Sequence, residues 1–227
     1  MIKNILFDLD DTILDFKKSE RVALTKTLIN LDIEPSEENI STYSRINAEQ
    51  WKLLELGKLT RDEVRLRRYS LFFEAIGVSR DPKVAGAYYE DKLSNECFLI
   101  DGAIETLDEL FGKYSLYVVS NGNAHVQRGR LKCADLAKYF DDIFISHEIG
   151  YTKPSVEFFN FCFENIKDFK REKTVIVGDS LSSDIKGGKN AGITTIWFNP
   201  DCIDAGDMRP DYEIKSIYDL PSLIKTL

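Results

Sequence analysis

Histidine is scarce in this chain and cysteine is scattered. The 227 residues hold two histidines, His125 and His147, far apart in sequence, and they read as helix-surface or loop residues rather than catalytic ones. Cys97, Cys133, Cys162 and Cys202 include no Cys-x-x-Cys pair, which speaks against a zinc site. They are expected to be small, buried, apolar residues of a protein in a reducing compartment. No apolar run approaches the length of a membrane span. The N-terminal apolar run carries one lysine and stops at Asp8, so it does not read as a signal peptide, and a cytoplasmic protein is expected. Positive charge is in deficit, with 30 Lys+Arg against 38 Asp+Glu and a net charge of -8. Such a field does not attract nucleic acid or anionic membranes. Neither a Gly-x-Ser-x-Gly elbow nor a Gly-x-Gly-x-x-Gly fingerprint is present. The stretch KGGKNAG at 186–192 fails as a P-loop, because Ser183 stands where the first glycine belongs and Asn190 where Ser or Thr should follow the lysine.

What is present is ordinary for a globular protein: 43% hydrophobic and 30% charged residues, enough chain for one large domain or two small ones. Residues 2–7 read as a buried strand. A long helical stretch follows, with helices expected near 16–31, 36–56, 60–76 and 81–94. Pro35 and Ser36 start one helix, Thr60 and Glu63 form a capping box for another, and Gly57 and Gly77 suit helix ends. From about residue 100 the pattern alternates. Short apolar runs at 115–122, 141–146, 173–179 and 193–199 read as strands, with helices near 124–138, 155–167 and 183–191. Pro154 suits a first helical position and Gly192 a helix end. A short strand at 211–215 and a helix at 216–226 close the chain. Alternation of this kind predicts an α/β fold with a doubly wound parallel sheet. The expected division is a core of residues 1–14 and 97–227, with an inserted all-helical domain at 15–96.

Ligands of an open parallel sheet bind beyond the carboxyl ends of its strands. Those ends carry Asp8 and Asp10, then Ser120-Asn121-Gly122, then Lys153-Pro154, then Asp179 with Ser180 to Asp184. Several carboxylates offer the oxygen ligands of a Mg²⁺ site, which keeps places for water and a substrate phosphate. A cation would also let clustered acids stay ionised. One carboxylate could attack phosphorus and a second could serve as acid and base. Ser120 and the backbone N–H groups at Asn121 and Gly122 could hold phosphate oxygens, and Lys153 could offset charge during transfer.

In this order and separation the motifs resemble those of the haloacid dehalogenase (HAD) superfamily: Asp8-Leu9-Asp10-Asp11-Thr12, Ser120, Lys153-Pro154, and Gly178-Asp179-Ser180-Leu181-Ser182-Ser183-Asp184. The resemblance implies a Rossmann-like core with a helical cap that selects substrates. It implies Asp8 as nucleophile and Asp10 as general acid/base. It places Mg²⁺ on the Asp8 and Asp179 carboxylates and the Asp10 carbonyl, with Asp184 behind or reaching the ion through water. Ser120, Asn121 and Lys153 would hold the phosphoryl group. The dehalogenase branch lacks the second aspartate, so Asp10 argues for a phosphatase. The stretches WKLLELGKLTRDE, ISHEIGYTKPSVEFF and GDSLSSDIKGGKNAGITTIWFNP further resemble a subgroup of nucleotidases that act on pyrimidine nucleoside monophosphates. Asn123-Ala124 departs from that pattern, in which an apolar or aromatic residue follows the turn.

Each feature has a plainer reading. The three aspartates could form a solvated turn, and only together with Asp179 and Lys153 do they read as a site. Asp11 and Thr12 read as turn residues. Lys153 alone could be a surface lysine, and Asp184 a first-turn acid favoured by a helix dipole. Phe158, Phe159, Phe161 and Phe163 read as one packed helix. Trp51, Arg65, Arg67 and Arg68 read as a solvated helix face, unless an arginine reaches a substrate. The expected function is a Mg²⁺-dependent phosphomonoester hydrolase acting on a small phosphorylated metabolite, foremost a nucleoside 5′-monophosphate. The alternatives are a sugar phosphatase or phosphoglycolate phosphatase, a phosphomutase and, last, a non-catalytic binding module. Oligomeric state is left open.

Overall fold

A computed structural model describes residues 1–227. Strand β1, Asn4–Phe7, is followed by four helices with no strand among them: α1 (Phe16–Asn30), α2 (Glu37–Glu55), α3 (Arg61–Ala75) and α4 (Pro82–Leu93). The alternating part runs α5 (Ala103–Leu110), β2 (Ser115–Ser120), α6 (Ala124–Cys133), β3 (Asp142–Ile145), α7 (Ser146–Ile149), α8 (Val156–Asn165) and β4 (Thr174–Gly178). One π-type turn, Leu181–Ile185, leads into α9 (Lys186–Ala191), and β5 (Thr194–Phe198), β6 (Tyr212–Ile214) and α10 (Leu220–Ile224) complete the chain. The chain divides into two compact units, Met1–Phe16 with Cys97–Leu227, and Lys17–Glu96.

The first unit holds a six-stranded sheet in the order β3-β2-β1-β4-β5-β6, with every neighbouring pair parallel. This is the doubly wound α/β sheet expected. Strand residues alternate between its faces. Ile5 and Phe7 join Val118, Val177 and Ile196 under α5 and α10. Leu6, Val119 and Ile176 face the other way, onto Phe158, Phe159, Cys162 and Phe163 of α8. Three of the four α8 phenylalanines are therefore core, while Phe161 is exposed. A Cβ at Gly188 would stand 2.6 Å from side-chain atoms of both Ile176 and Thr195. Gly188 of KGGKNAG thus lets α9 lie close on the sheet.

The helical unit has an aromatic core. Tyr43 lies 5.1 Å from Tyr69 and 5.6 Å from Phe72 between ring centres. Ser36 caps α2 by accepting from the Asn39 N–H at 3.2 Å, and Thr60 and Glu63 form the expected capping box at the start of α3. The face carrying Arg65 and Arg68 is not a solvated one. Arg68 is buried, with its guanidinium 5.0 Å from the Tyr89 ring centre. Arg65 forks onto Glu90 at 2.7 and 2.6 Å. Arg67 donates to Gln50 at 3.3 Å. These bonds serve the unit's own packing. No helix is long and apolar enough to cross a membrane.

Several expectations need correction. Helix α5 was not anticipated. It is eight residues long and follows Gly102, which has φ +83 and lends no side-chain cap, so its start carries no capping signal. The helix expected over 124–138 stops at Cys133, because Asp135 turns with φ +53. Pro154 is not a first helical residue: Ser155 caps α8, which starts at Val156, and the Lys153–Pro154 peptide is cis. The cysteines are not four buried thiols. Cys97 and Cys133 are joined in a disulfide, Cys162 is free and buried, and Cys202 is exposed. Titration of the denatured, unreduced protein should therefore count two reactive thiols, and four after reduction. Four in both cases would remove the disulfide.

Candidate active site

The order of the strands puts β2 and β4 on either side of β1, so the chain leaves β1 where its two neighbours wind in opposite directions. That is where a crevice opens in such sheets. The Asp8 N–H donates to the Val177 carbonyl at 2.8 Å, extending the β1–β4 ladder by one residue and fixing Asp8 at the rim. The next residues turn sharply. Asp11 has φ +54, and its carboxylate accepts from the Phe16 N–H at 2.9 Å, as a turn residue should. Thr12 is buried and its hydroxyl makes no hydrogen bond, so it supports the turn by packing.

Lys153 is no surface residue. It is 1% exposed, and its Nζ donates to Asp8 Oδ1 at 2.5 Å, Asp184 Oδ1 at 2.7 Å and the Val119 carbonyl at 2.7 Å. Asn121 sets the lysine in place. Its Oδ1 accepts from the Lys153 N–H at 2.8 Å and its Nδ2 donates to the Lys153 carbonyl at 2.9 Å. The Asn121 side chain is thus engaged with the lysine backbone, and only its backbone N–H is left to address a phosphate. Asp184 is fully buried and accepts from the Ser180 N–H at 3.1 Å. A Cβ at Gly178 would stand 2.3 Å from the Asp184 carboxyl, so glycine is required where β4 ends. Asp179 is held through its carbonyl, which accepts from Trp197 Nε1 at 2.8 Å.

The carboxylates of Asp8, Asp179 and Asp184 offer ligand oxygens that all lie within 4.8 Å of one another. Burial pushes the Asp8 carboxyl up to about 8, against the opposing pull of Lys153 and with a contribution from Asp184. Burial and the Asp8 and Asp184 carboxylates likewise hold Asp179 well above the usual carboxylate range. For Lys153, burial would lower the pKa, and the carboxylates of Asp184 and Asp8 reverse this and raise it. One ammonium therefore stands against three carboxylates. An all-oxygen donor set with surplus negative charge fits a hard divalent cation such as Mg²⁺.

Asp10 stands apart from that cluster. Its carboxylate is 31% exposed and is bound by two side chains of α6. Arg130 Nη1 donates to Oδ1, and Gln127 Nε2 donates to Oδ2 at 2.7 Å. Gln127 Nε2 also donates to Ser120 Oγ at 2.8 Å. Sequence reasoning missed Gln127 and Arg130, since a polar residue on a helix passes for a solvated one. The signal lay in their spacing of three, one helical face, on the helix that starts at the end of β2. The departure at Asn123 also has its reason. Asn123 caps α6 by accepting from the His125 N–H at 2.9 Å, while His147 Nδ1 accepts from the Ala124 N–H at 3.2 Å.

Residues 5–198 match the family model described as haloacid dehalogenase-like hydrolase. The chain belongs to this family. It is 40% identical to YfnB, a HAD-family protein of Bacillus subtilis, over 96% of its own length and 93% of the relative's. It is 38% identical to the pyrimidine 5′-nucleotidase PynA of Streptococcus pneumoniae, again over 96% and 93%. It is 26% identical to the pyrimidine 5′-nucleotidase YjjG of Escherichia coli, over 97% and 96%. A crystal structure of YfnB bound to magnesium superposes with a TM-score of 0.94 at 39% identity, covering 98% of both chains. These likenesses put the HAD hydrolase in the subgroup of PynA and YjjG.

A prediction follows from the charge balance. Unfolded carboxylates titrate near 3.8, whereas folded Asp8 titrates at about 8. Across that window the folded chain holds more protons than the unfolded one, so stability falls as pH rises. In EDTA the Tm should drop between about pH 5 and about pH 8. Mg²⁺ should restore it most at the upper end, where it competes with the fewest protons, and Asp179→Asn should flatten both effects. A Tm that holds level or rises with pH in EDTA would contradict the stated balance.

Proposed function

We propose that this HAD hydrolase is a Mg²⁺-dependent phosphomonoester phosphatase that works through an aspartyl-phosphate on Asp8, with pyrimidine nucleoside 5′-monophosphates as its preferred substrates. The observation that carries the reading is the contrast between two carboxylates two residues apart. Asp8 is buried against a fixed ammonium. Asp10 is partly open to solvent and held by neutral and cationic donors from another element. Two acids in different environments can take different roles in one reaction.

In the first step Asp8 attacks phosphorus. The Asp8 O–P bond forms, the bond from phosphorus to the ester oxygen breaks, and Asp10 gives that oxygen its proton. In the second step Asp10 takes a proton from water, the water oxygen bonds to phosphorus and the Asp8 O–P bond breaks, which releases phosphate. Lys153 keeps one oxygen of Asp8 in place and balances charge. The Ser120 hydroxyl and the Asn121 N–H bind phosphoryl oxygens, while the Gly122 N–H holds Ser120 Oγ at 3.1 Å. The Asp8 and Asp179 carboxylates and the Asp10 carbonyl would hold Mg²⁺, backed by Asp184, and the ion would supply positive charge against the phosphoryl oxygens. The helical unit, Lys17–Glu96, is the part we assign to substrate selection. The nucleotide preference is supported by the activities named for PynA and YjjG.

The test is phosphate release with and without Mg²⁺, from purine and pyrimidine nucleoside monophosphates, phosphoglycolate and hexose phosphates. Mg²⁺-dependent turnover is expected, highest on pyrimidine monophosphates. Asp8→Asn should lower kcat by about 10⁴-fold or more while the circular dichroism spectrum is unchanged. Activity retained in Asp8→Asn would remove the nucleophile. Preference for sugar phosphates would keep the chemistry and overturn the nucleotidase reading, and transfer to a sugar without phosphate release would identify a mutase.

A further inference from the structure

The side chains that hold Asp10 form a continuous chain with the phosphate site. Gln127 is 1% exposed and Arg130 is fully buried. Gln127 uses one amide nitrogen for both Asp10 Oδ2, at 2.7 Å, and Ser120 Oγ, at 2.8 Å. The orientation of that amide follows from chemistry. A flipped amide would turn its oxygen toward the Asp10 carboxylate, and it is the Gln127 Oε1 that faces Arg130 Nη1, at 3.5 Å. Ser120 Oγ also accepts from the Gly122 N–H at 3.1 Å. A hydroxyl has two lone pairs and one proton. With both lone pairs occupied, Ser120 retains only its proton to offer.

The backbone is shaped around this arrangement. A Cβ at Gly122 would lie 2.4 Å from Gln127 Nε2, so the turn after Ser120 admits the glutamine only because it is glycine. Arg130 lies with its guanidinium 5.7 Å from the Phe16 ring centre. A buried Arg and Gln on the inner face of a helix are a costly substitute for leucine unless their partners need them. Their partners are the two groups assigned to proton transfer and to phosphate binding.

We propose that Gln127 and Arg130 are positioning residues. Arg130 anchors one oxygen of Asp10, and Gln127 ties the other to Ser120, so one amide aligns the proton-transferring carboxylate with the hydroxyl that donates to a phosphoryl oxygen. The proposal rests on the reading of Asp10 as general acid/base. It adds that the aim of Asp10 is set from α6 rather than from its own turn.

The test is a mutant cycle with two substrates. Uridine 5′-monophosphate has a poor leaving group that needs a proton, and p-nitrophenyl phosphate has a good one that does not. Gln127→Met should lower kcat on uridine 5′-monophosphate by about 10- to 100-fold with KM little changed. The burst of nitrophenolate, which reports formation of the aspartyl-phosphate, should stay within about threefold of wild type. In an Asp10→Asn background, Gln127→Met should cost nothing more, because the group it positions is gone. Arg130→Lys should retain more activity than Arg130→Met. Should the Arg130 variants fail to fold, the Gln127 arm carries the test alone. A nitrophenolate burst slowed as much as kcat on uridine 5′-monophosphate, losses that add to those of Asp10→Asn, or wild-type kcat in Gln127→Met would each overturn the proposal. If Asp10→Asn itself turned over uridine 5′-monophosphate normally, the acid/base reading would fail first, and this result is distinct from the others.

Discussion

The ammonium of Lys153, enclosed with the carboxylates of Asp8, Asp179 and Asp184, is the constraint around which the site is built. A buried charge is tolerated only with partners, and all three donors of this one are taken, two by carboxylates and one by the end of β2. The demands of that single group explain features that would otherwise look unrelated. Asn121 spends its side chain on the lysine backbone. Gly178 stays bare so that Asp184 can approach. The Asp8 N–H extends the β1–β4 ladder, so the first acid is set by the sheet itself and not by a loop. Even so, one cation does not balance three acids, and the excess is what suits the place to a divalent ion.

The second carboxylate is governed separately. Asp10 follows Asp8 by two residues, yet its neighbours come from α6 and it shares none of the Lys153 contacts. The chain can do this because the turn at Asp11 swings away from the sheet immediately after the rim. Rigid placement of one acid by a strand and of the other by a helix keeps them from competing for the same counter-charge, which two ions so close in sequence would otherwise do.

Much of this was readable from the residues alone, for a definite reason. Strands such as ILF and VIVG are apolar on both faces, so acids at their ends stand out, and a parallel sheet gathers strand ends on one rim. Helices α2 and α3 announced themselves by caps at Ser36 and Thr60. What escaped notice was of another kind. Gln127 and Arg130 are polar residues on a helix, and nothing in their spelling says that the helix turns them inward. Arg68 was hidden in the same way, since its burial depends on tyrosines from α2 and α4. The bond between Cys97 and Cys133 spans 36 residues and depends on how α6 packs. The role of Asn121 depends on a lysine brought to it by folding. Local pattern reveals elements and their ends, while partners distant in sequence emerge only when the elements assemble.

The strand that precedes all the others in sequence also lies inside the sheet, and this has a consequence for the order of synthesis. Asn4 pairs in register with Ser115 on one side and Thr174 on the other. On the ribosome β1 emerges before β2 and β4, with three consecutive apolar residues and neither neighbour yet made. The helical unit is a contiguous stretch, Lys17–Glu96, and its aromatic core draws on residues 43 to 89 alone. It is complete before any partner of β1 exists. The nascent chain therefore passes through a long interval in which one domain has all its parts while the future centre of the other remains uncovered. That interval is when this protein depends most on whatever shields the uncovered strand.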